Sequence, residues 1–173
     1  MAPEISLMKR IGIVGCGAMG SKIASVIAKD FKGKAVLSAL YDIAPDKASQ
    51  LARRLKKKGL VVSSLGALIK RVDFVIESAH PKSSMQIALE AVRNRRDCMV
   101  MSVGGLLNAK RLFHLAKKNK ARIYIPSGAI CGIDGLKAHS LAGIEKVVIT
   151  TRKGPSSLKG APYITKNKIK HIF

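Results

Sequence analysis

The turn Gly15-Cys16-Gly17-Ala18-Met19-Gly20 constrains this chain more than any other feature. It follows a short β-branched run at residues 9–14 and opens residues 18–29, where Ile23, Val26 and Ile27 recur at helical spacing. That predicts strand, glycine turn and helix. In a G-x-G-x-x-G of this kind Gly15 permits the tight turn, Gly17 lets the backbone approach a pyrophosphate, and Gly20 lets the helix pack on the strand, with the helix N-terminus facing the anion. A second predicted strand, residues 35–41, ends at Asp42, whose carboxylate is placed to accept the ribose 2′- and 3′-hydroxyls of an adenine dinucleotide. Asp42 would repel a 2′-phosphate, Ile43-Ala44 supply no arginine beside it, and Lys47 is the nearest cation. NAD is therefore expected, with NADP the lesser choice. The plainer alternative is a structural glycine turn beside a solvated aspartate. Cys16 reads as a small filler of the loop rather than a reactive thiol.

Beyond this unit, strand and helix continue to alternate. Residues 45–58 predict a helix with Ala48, Leu51, Ala52 and Leu55 inward, with Pro45 near its start and three lysines before Gly59. Residues 60–62 predict a short strand, and Ser64 a cap for a small helix at 65–71. Further strands are expected at 72–78, 98–103 and 121–125, with helices at 83–93 (Ile87, Ala88, Ala91 and Val92 inward) and 108–119. The strands are continuous apolar runs, as expected when helices cover both faces of a parallel sheet, so the fold class is α/β, doubly wound. After Pro126 a Gly-rich turn (127–135), a helix at 134–142 and a strand at 144–151 begin a second domain, and residues 152–173 are rich in Lys, Pro and Gly with little periodicity.

Composition narrows the function. With 32 Lys+Arg against 10 Asp+Glu the formal charge is +22, a level that brings nucleic acid into consideration. The cations cluster at 56–58, 93–96, 117–120 and 166–170, mostly where predicted helices end and where they offset the negative end of the macrodipole. RNA-module signatures and aromatic stacking pairs are missing from the sequence, so no specific nucleic-acid partner is expected. Cys16, Cys98 and Cys131 are too few and too scattered for a disulfide framework, and no metal-ligand spacing is present. The N-terminus lacks a signal-like apolar stretch and no run is long enough to span a bilayer, so the expected setting is the cytoplasm, away from membranes.

In open parallel sheets a ligand lies beyond the carboxyl ends of the strands. The segments to watch are Ser78-Ala79-His80, Ser102-Val103-Gly104-Gly105 and Pro126-Ser127-Gly128-Ala129-Ile130. Their small residues, with Ser78, Ala79, Ser102 and Gly104 foremost, leave room for a cofactor, while Glu77 reads alternatively as a structural cap. His80 is the titratable ring in this crevice and the weak candidate for acid–base work near neutral pH, its plainer role being a capping or solvated histidine before Pro81. His114 and His139 fall in helical stretches and read as surface or packing residues.

The string Pro126-Ser-Gly-Ala-Ile-Cys-Gly-Ile-Asp-Gly-Leu136 resembles the PSGAIxGxDGL element of the archaeal-type L-aspartate dehydrogenases. GIVGCGAMG at the start, VIESA, MSVGGL, and TTRKGPSSLKGAPY near the end extend the resemblance over about residues 9–163. It implies a Rossmann domain at 1–126, the start of an incomplete α/β substrate and dimerisation domain at 127–164, and an aberrant basic tail at 165–173. It implies oxidative deamination of L-aspartate to iminoaspartate, which hydrolyses to oxaloacetate and ammonia or feeds NAD biosynthesis, in a homodimer. It also implies that Gly15, Gly17, Ala18, Met19 and Gly20 hold the pyrophosphate, Asp42 the adenosine ribose, and Ala129 the nicotinamide end through its backbone. Family members continue through a substrate domain that carries a catalytic histidine; no family motif surrounds His171, and His80 stands where a small residue is more usual. The resemblance thus leaves the catalytic residue unknown and the chain truncated, with a catalytically incompetent NAD-binding fragment or sensor as the alternative function. Lys137, Arg152 and Lys153 are the cations available to the two carboxylates of aspartate, or are solvent-facing charge.

Overall fold

A computed structural model describes residues 8–128, 130, 132–150, 152 and 154. The chain falls into two units, with the division between residues 129 and 130. In the first, short aliphatic runs form β1 (Lys9–Val14), β2 (Ala35–Tyr41), β3 (Phe74–Glu77), β4 (Asp97–Val100) and β5 (Ile123–Tyr124), an all-parallel sheet in the order β2-β1-β3-β4-β5. Helices α1 (Ala18–Asp30), α2 (Pro45–Arg54), α3 (Leu65–Arg71), α4 (Pro81–Arg93) and α5 (Lys110–Asn119) connect the strands. This is the expected doubly wound α/β architecture.

Adjacent strand residues feed opposite cores, which is why the strands read as unbroken apolar runs. Ile13 and Ile76 pack with Ala24 and Ile27 of α1 and with Ala48, Leu51 and Ala52 of α2. Val14 and Val75 pack on the other face with Leu68 of α3, Ile87, Ala88 and Val92 of α4, and Leu112 of α5. At the opening of β1, Arg10 grips Asp73 through both guanidinium and backbone nitrogens, at 2.7 to 3.0 Å, and the Asp73 amide donates to the Arg10 carbonyl at 2.8 Å. The Arg10 hydrogen bonds hold the Asp73 carboxyl at about 2, against the smaller upward push of burial.

The register fixes where a ligand can lie. Val14 pairs with Tyr41 on one side and with Glu77 on the other, and Glu77 pairs with Val100. Four strands therefore end on one line, and from it the chain leaves β1 toward β2 on one side and leaves β3 toward β4 on the other. The crevice between the ends of β1 and β3 is the topological switch point.

Several expected boundaries shift, each for a local reason. Residues 60–62 form no strand: a single parallel bridge joins Leu40 to Val61, flanked by bonds from Leu40 N to Leu60 O and Val62 N to Leu40 O. The strand expected at 98–103 starts at Asp97 and stops at Val100, because Val103–Leu106 coils into a 3₁₀ turn. α4 begins two residues early, at Pro81, with His80 as its cap. Ser64 caps α3 as expected, its hydroxyl accepting from Ala67 N at 3.1 Å.

In the second unit, α6 (Ile133–His139) follows Gly132, and it is shorter than the expected 134–142. Residues 144–150 form no strand; Val147, Val148 and Ile149 are exposed, and no ladder partner lies beside them among the described residues. Thr151 and the expected tail at 165–173 lie outside the described residues.

α2, α4 and α5 end alike. Lys56, Arg95 and Lys120 take left-handed φ values of 52°, 57° and 54°. The next residue in each case, Lys57, Arg96 or Ala121, donates to the carbonyl of Ala52, Ala91 or Ala116. This is the Schellman closure, in which glycine is the unstrained residue. Lys120→Gly is expected to stabilise the protein by about 0.5–1 kcal/mol by relieving left-handed strain, an effect partly offset by glycine's backbone entropy. Equilibrium urea unfolding of the wild type and the variant checks it.

Candidate cofactor site

Beyond the strand ends lies a cavity of about 530 Å³ lined by, among others, Gly15, Gly17, Asp42, Ser78, Ala79 and His80. Four sequence segments that are far apart in the chain thus meet where the topology places a ligand. A second, more apolar groove of about 600 Å³ runs along the sheet face beside α1, lined by Ile23, Phe31, Phe74, Met99 and Tyr124 among others. Of its charged lining residues, Lys9 and Arg122 both pair with Asp97, and the glycine turn is no part of its wall.

The glycine turn is built by close approach. Gly15 has φ +94°, and a Cβ there would lie 2.6 Å from the Ser78 carbonyl. A Cβ on Gly20 would overlap the Gly15 carbonyl oxygen and come within 2.6 Å of the Ser78 hydroxyl, which itself donates to the Gly15 carbonyl at 2.8 Å. Gly20 is buried beneath the turn, and α1 therefore starts directly against the end of β1. A Cβ on Gly17 would meet nothing within 4 Å, so the open side of the turn faces the cavity that Gly17 lines. Ala18 and Met19 are exposed on the first turn of α1, and the chain's first bond back into that helix is from Ser21 N to Gly17 O. The earlier amides are the donors a helix start offers to an anion.

Asp42 does more than wait for a sugar. Its Oδ2 accepts from Cys16 N at 2.7 Å and its Oδ1 from Ala44 N at 2.9 Å, tying the glycine turn to the end of β2. Each oxygen keeps lone-pair capacity for a ribose hydroxyl. Burial, aided by the Asp42 charge, pushes the Cys16 thiol up to about 12, which suits a packed filler and not a nucleophile.

Glu77, which the sequence left as a cap, is fully buried and ties two loops together. Its Oε1 accepts from Ala79 N at 2.8 Å and its Oε2 from Ser102 N at 3.0 Å. The loops after β3 and β4 are therefore held to one carboxylate. The Cys98 thiol nearby is pushed up to about 12 by burial first, then by Asp97 and Glu77.

His80 stands at the cavity with its Nδ1 accepting from Lys82 N at 3.2 Å, so the ring caps α4. Ser102 and Gly104 lie on the 3₁₀ turn after β4 and are not among the residues lining the cavity, although Ser102 is linked to it through Glu77. Ala129 lies outside the described residues. The sequence reading missed the apolar walls Ile43, Leu65 and Ile87 and the polar Ser83 and Gln86. Ile43 alone left a trace, as an apolar residue directly after Asp42, and it is 92% exposed. Among the described residues no cluster of three potential metal ligands occurs, and no helix is long and apolar enough to cross a membrane.

A glycine turn, a helix start and an acidic strand end around one cavity at the switch point define an NAD-binding domain of the Rossmann type. A sequence model of the family described as homoserine dehydrogenase, NAD binding domain, matches residues 15–126, and the chain belongs to that family. The resemblance seen in the sequence is borne out by curated relatives. The L-aspartate dehydrogenase of Methanosarcina barkeri is 43% identical over 160 residues, covering 91% of this chain and 59% of that protein. The L-aspartate dehydrogenase of Nitrosopumilus maritimus is 39% identical over 166 residues, covering 94% and 60%. The chain thus spans about 60% of the length of these relatives. Among solved structures, GenD2 from gentamicin A biosynthesis, in complex with NAD, matches with TM-score 0.64 at 21% identity, covering 80% of this chain and 40% of that one. A homoserine dehydrogenase from Thiobacillus denitrificans matches with TM-score 0.59 at 14% identity, covering 69% and 29%. These structural matches bear on the fold alone.

The three glycines separate by substitution. Gly20→Ala forces the turn off α1 and is expected to lower stability by about 1–3 kcal/mol. Gly17→Ala is expected to leave the melting temperature unchanged and to weaken NADH roughly tenfold, because the methyl group occupies ligand space. Thermal melts beside NADH fluorescence titrations distinguish the two.

Proposed function

We propose that this chain is the cofactor-binding part of an NAD-dependent L-aspartate dehydrogenase, which deaminates L-aspartate oxidatively to iminoaspartate and onward to oxaloacetate and ammonia or to NAD biosynthesis. The observation that carries the reading is the convergence of Gly15, Gly17, Asp42, Ser78 and Ala79 on one cavity in a chain whose curated relatives bear that enzyme's name. The residues fit the cofactor: the turn has open space over Gly17, and the Asp42 oxygens each retain an acceptor site.

In this reading the amides of Gly17, Ala18, Met19 and Gly20 bind the pyrophosphate above the Gly15 turn. Asp42 accepts the adenosine ribose hydroxyls and disfavours a 2′-phosphate. The loops carrying Ser78, Ala79 and His80, and Ser102 and Gly104, flank the nicotinamide half, with Ala129 contributing backbone. When bound, the nicotinamide supplies the acceptor for the hydride leaving the aspartate α-carbon. A homodimer in the cytoplasm, acting on a small-molecule substrate, completes the proposal.

A second reading, a binding module without turnover, is favoured by one observation: the His80 ring nitrogen facing its own chain is engaged as a helix cap. NADH formation on mixing the protein with L-aspartate and NAD separates the two. Turnover supports the dehydrogenase, and tight NADH binding without turnover supports the module.

Asp42→Ala is expected to weaken NAD roughly tenfold or more, the loss of a charge-assisted hydrogen bond, and to narrow the preference over NADP. Asp42→Asn, which keeps one acceptor oxygen for the loop amides, is expected to fall between. Unchanged affinity for both cofactors in both variants, measured by calorimetry, refutes the role given to Asp42.

A further inference from the structure

The formal charge of +22 is not spread evenly over the first unit. In a parallel α/β sheet every connecting helix runs against the strands, so helix C-termini gather at the edge where strands begin, opposite the ligand crevice. More than half of the 32 Lys+Arg fall at that edge, in residues 9–10, 29–34, 53–58, 70–71, 93–96 and 117–122. Acidic residues there are few: besides Asp73 and Asp97, Asp30 stands exposed at the end of α1 and Glu90 pairs with Arg93 at 3.7 Å. Asp73 is held by Arg10 at 2.7 Å and lies 3.9 Å from Arg96, and Asp97 is held by Arg122 at 3.0 Å and Lys9 at 3.6 Å. These pairs join the starts of β1, β3, β4 and β5, which places the cationic segments side by side. Lys58, Arg71, Arg95, Lys117, Lys118 and Lys120 are exposed. The opposite edge is nearly balanced: Lys47, Lys82, Lys110 and Arg111 stand against Asp42, Asp46 and Glu77.

We infer that the edge formed by the strand starts and the C-termini of α1 to α5 is a binding surface for the phosphate backbone of double-stranded nucleic acid. Five strands about 4.8 Å apart make an edge roughly 20 Å wide, the scale on which a duplex presents one phosphate charge per about 1.7 Å of axis. Helix-end cations cover the strongest local negative potential of the protein itself, yet their number far exceeds the five helix ends to be offset. Aromatic residues are 4% of the chain, which disfavours a single strand held by stacked bases. The contact reads charge and not sequence, and it lies on the edge away from the cofactor cavity. Cofactor and duplex are therefore expected to bind without competing.

The test is fluorescence anisotropy with labelled mixed-sequence DNA and RNA duplexes over a salt series, using the full chain. Tight binding at low salt, with log K falling against log salt at a slope of about −4 or steeper, is expected. Two triple variants remove equal charge from opposite edges. Lys58→Glu, Lys117→Glu, Lys118→Glu is expected to lose at least about tenfold in affinity and to flatten the slope by about 3, whereas Lys82→Glu, Lys110→Glu, Arg111→Glu loses about twofold or less. Saturating NADH leaves duplex affinity unchanged. Equal losses in the two variants, no duplex binding by the wild type, tighter binding to anionic phosphatidylserine vesicles than to duplex, or displacement of duplex by NADH would each overturn the assignment. Loss of NADH binding alone refutes the cofactor reading and leaves this one standing.

Discussion

The absence of a side chain on Gly20, where a Cβ would overlap the Gly15 carbonyl oxygen, is the constraint on which the site depends. With no Cβ in the gap, α1 begins against the end of β1, and its unpaired amides open over the line where β1, β2, β3 and β4 stop together. A side chain of any size would lift the helix and turn those amides away from the crevice. The Ser78 hydroxyl on the Gly15 carbonyl then couples the turn to the loop after β3. A geometric necessity of packing and the chemistry of anion binding are thus met by the same residues.

Two carboxylates extend this order outward. Asp42 holds the Cys16 amide, and Glu77 holds those of Ala79 and Ser102, so three loops that would otherwise move independently are fixed to strand ends. Both oxygens of Glu77 accept backbone N–H donors, and no ion pair to it occurs among the described residues. A buried polar side chain is costly unless its hydrogen bonds are met, and here the amides that meet them belong to the loops it fixes.

Much of the fold was legible because doubly buried strands write themselves as apolar runs and the glycine turn has a fixed spacing. β1, α1 and β2 start where the sequence placed them, and the inward faces of α2 and α4 are Ala48, Leu51 and Ala52, and Ile87, Ala88, Ala91 and Val92, as the periodicity requires. What failed depends on partners that local sequence does not reveal. Residues 144–150 have strand-like composition without a neighbouring strand, and residues 60–62 meet β2 at one point only. The cavity walls Leu65, Ser83 and Gln86 come from helix starts whose side chains carry no signature of ligand contact. Glu77 looked like a cap because the two amides it binds are 2 and 25 residues away, and only the pairing of β3 with β4 brings the second one near.

The same geometry sets a division of labour within the proposed reaction. Removing hydride and a proton from an amino acid requires a base as well as a cofactor, and a base must reach the ammonium group at hydrogen-bond distance. Of the titratable groups lining the described cavity, Asp42 is engaged with two loop amides and His80 with a helix start, and Tyr41 and Lys47 stand at the end of β2 and on α2, on the side assigned to adenosine. In the proposed reading Asp42, Tyr41 and Lys47 hold and orient the cofactor, while the capping bond of His80 uses its Nδ1 and not its Nε2. Proton transfer in the proposed enzyme would then fall to the Nε2 of His80 or to a group brought against the fixed loops after β3 and β4.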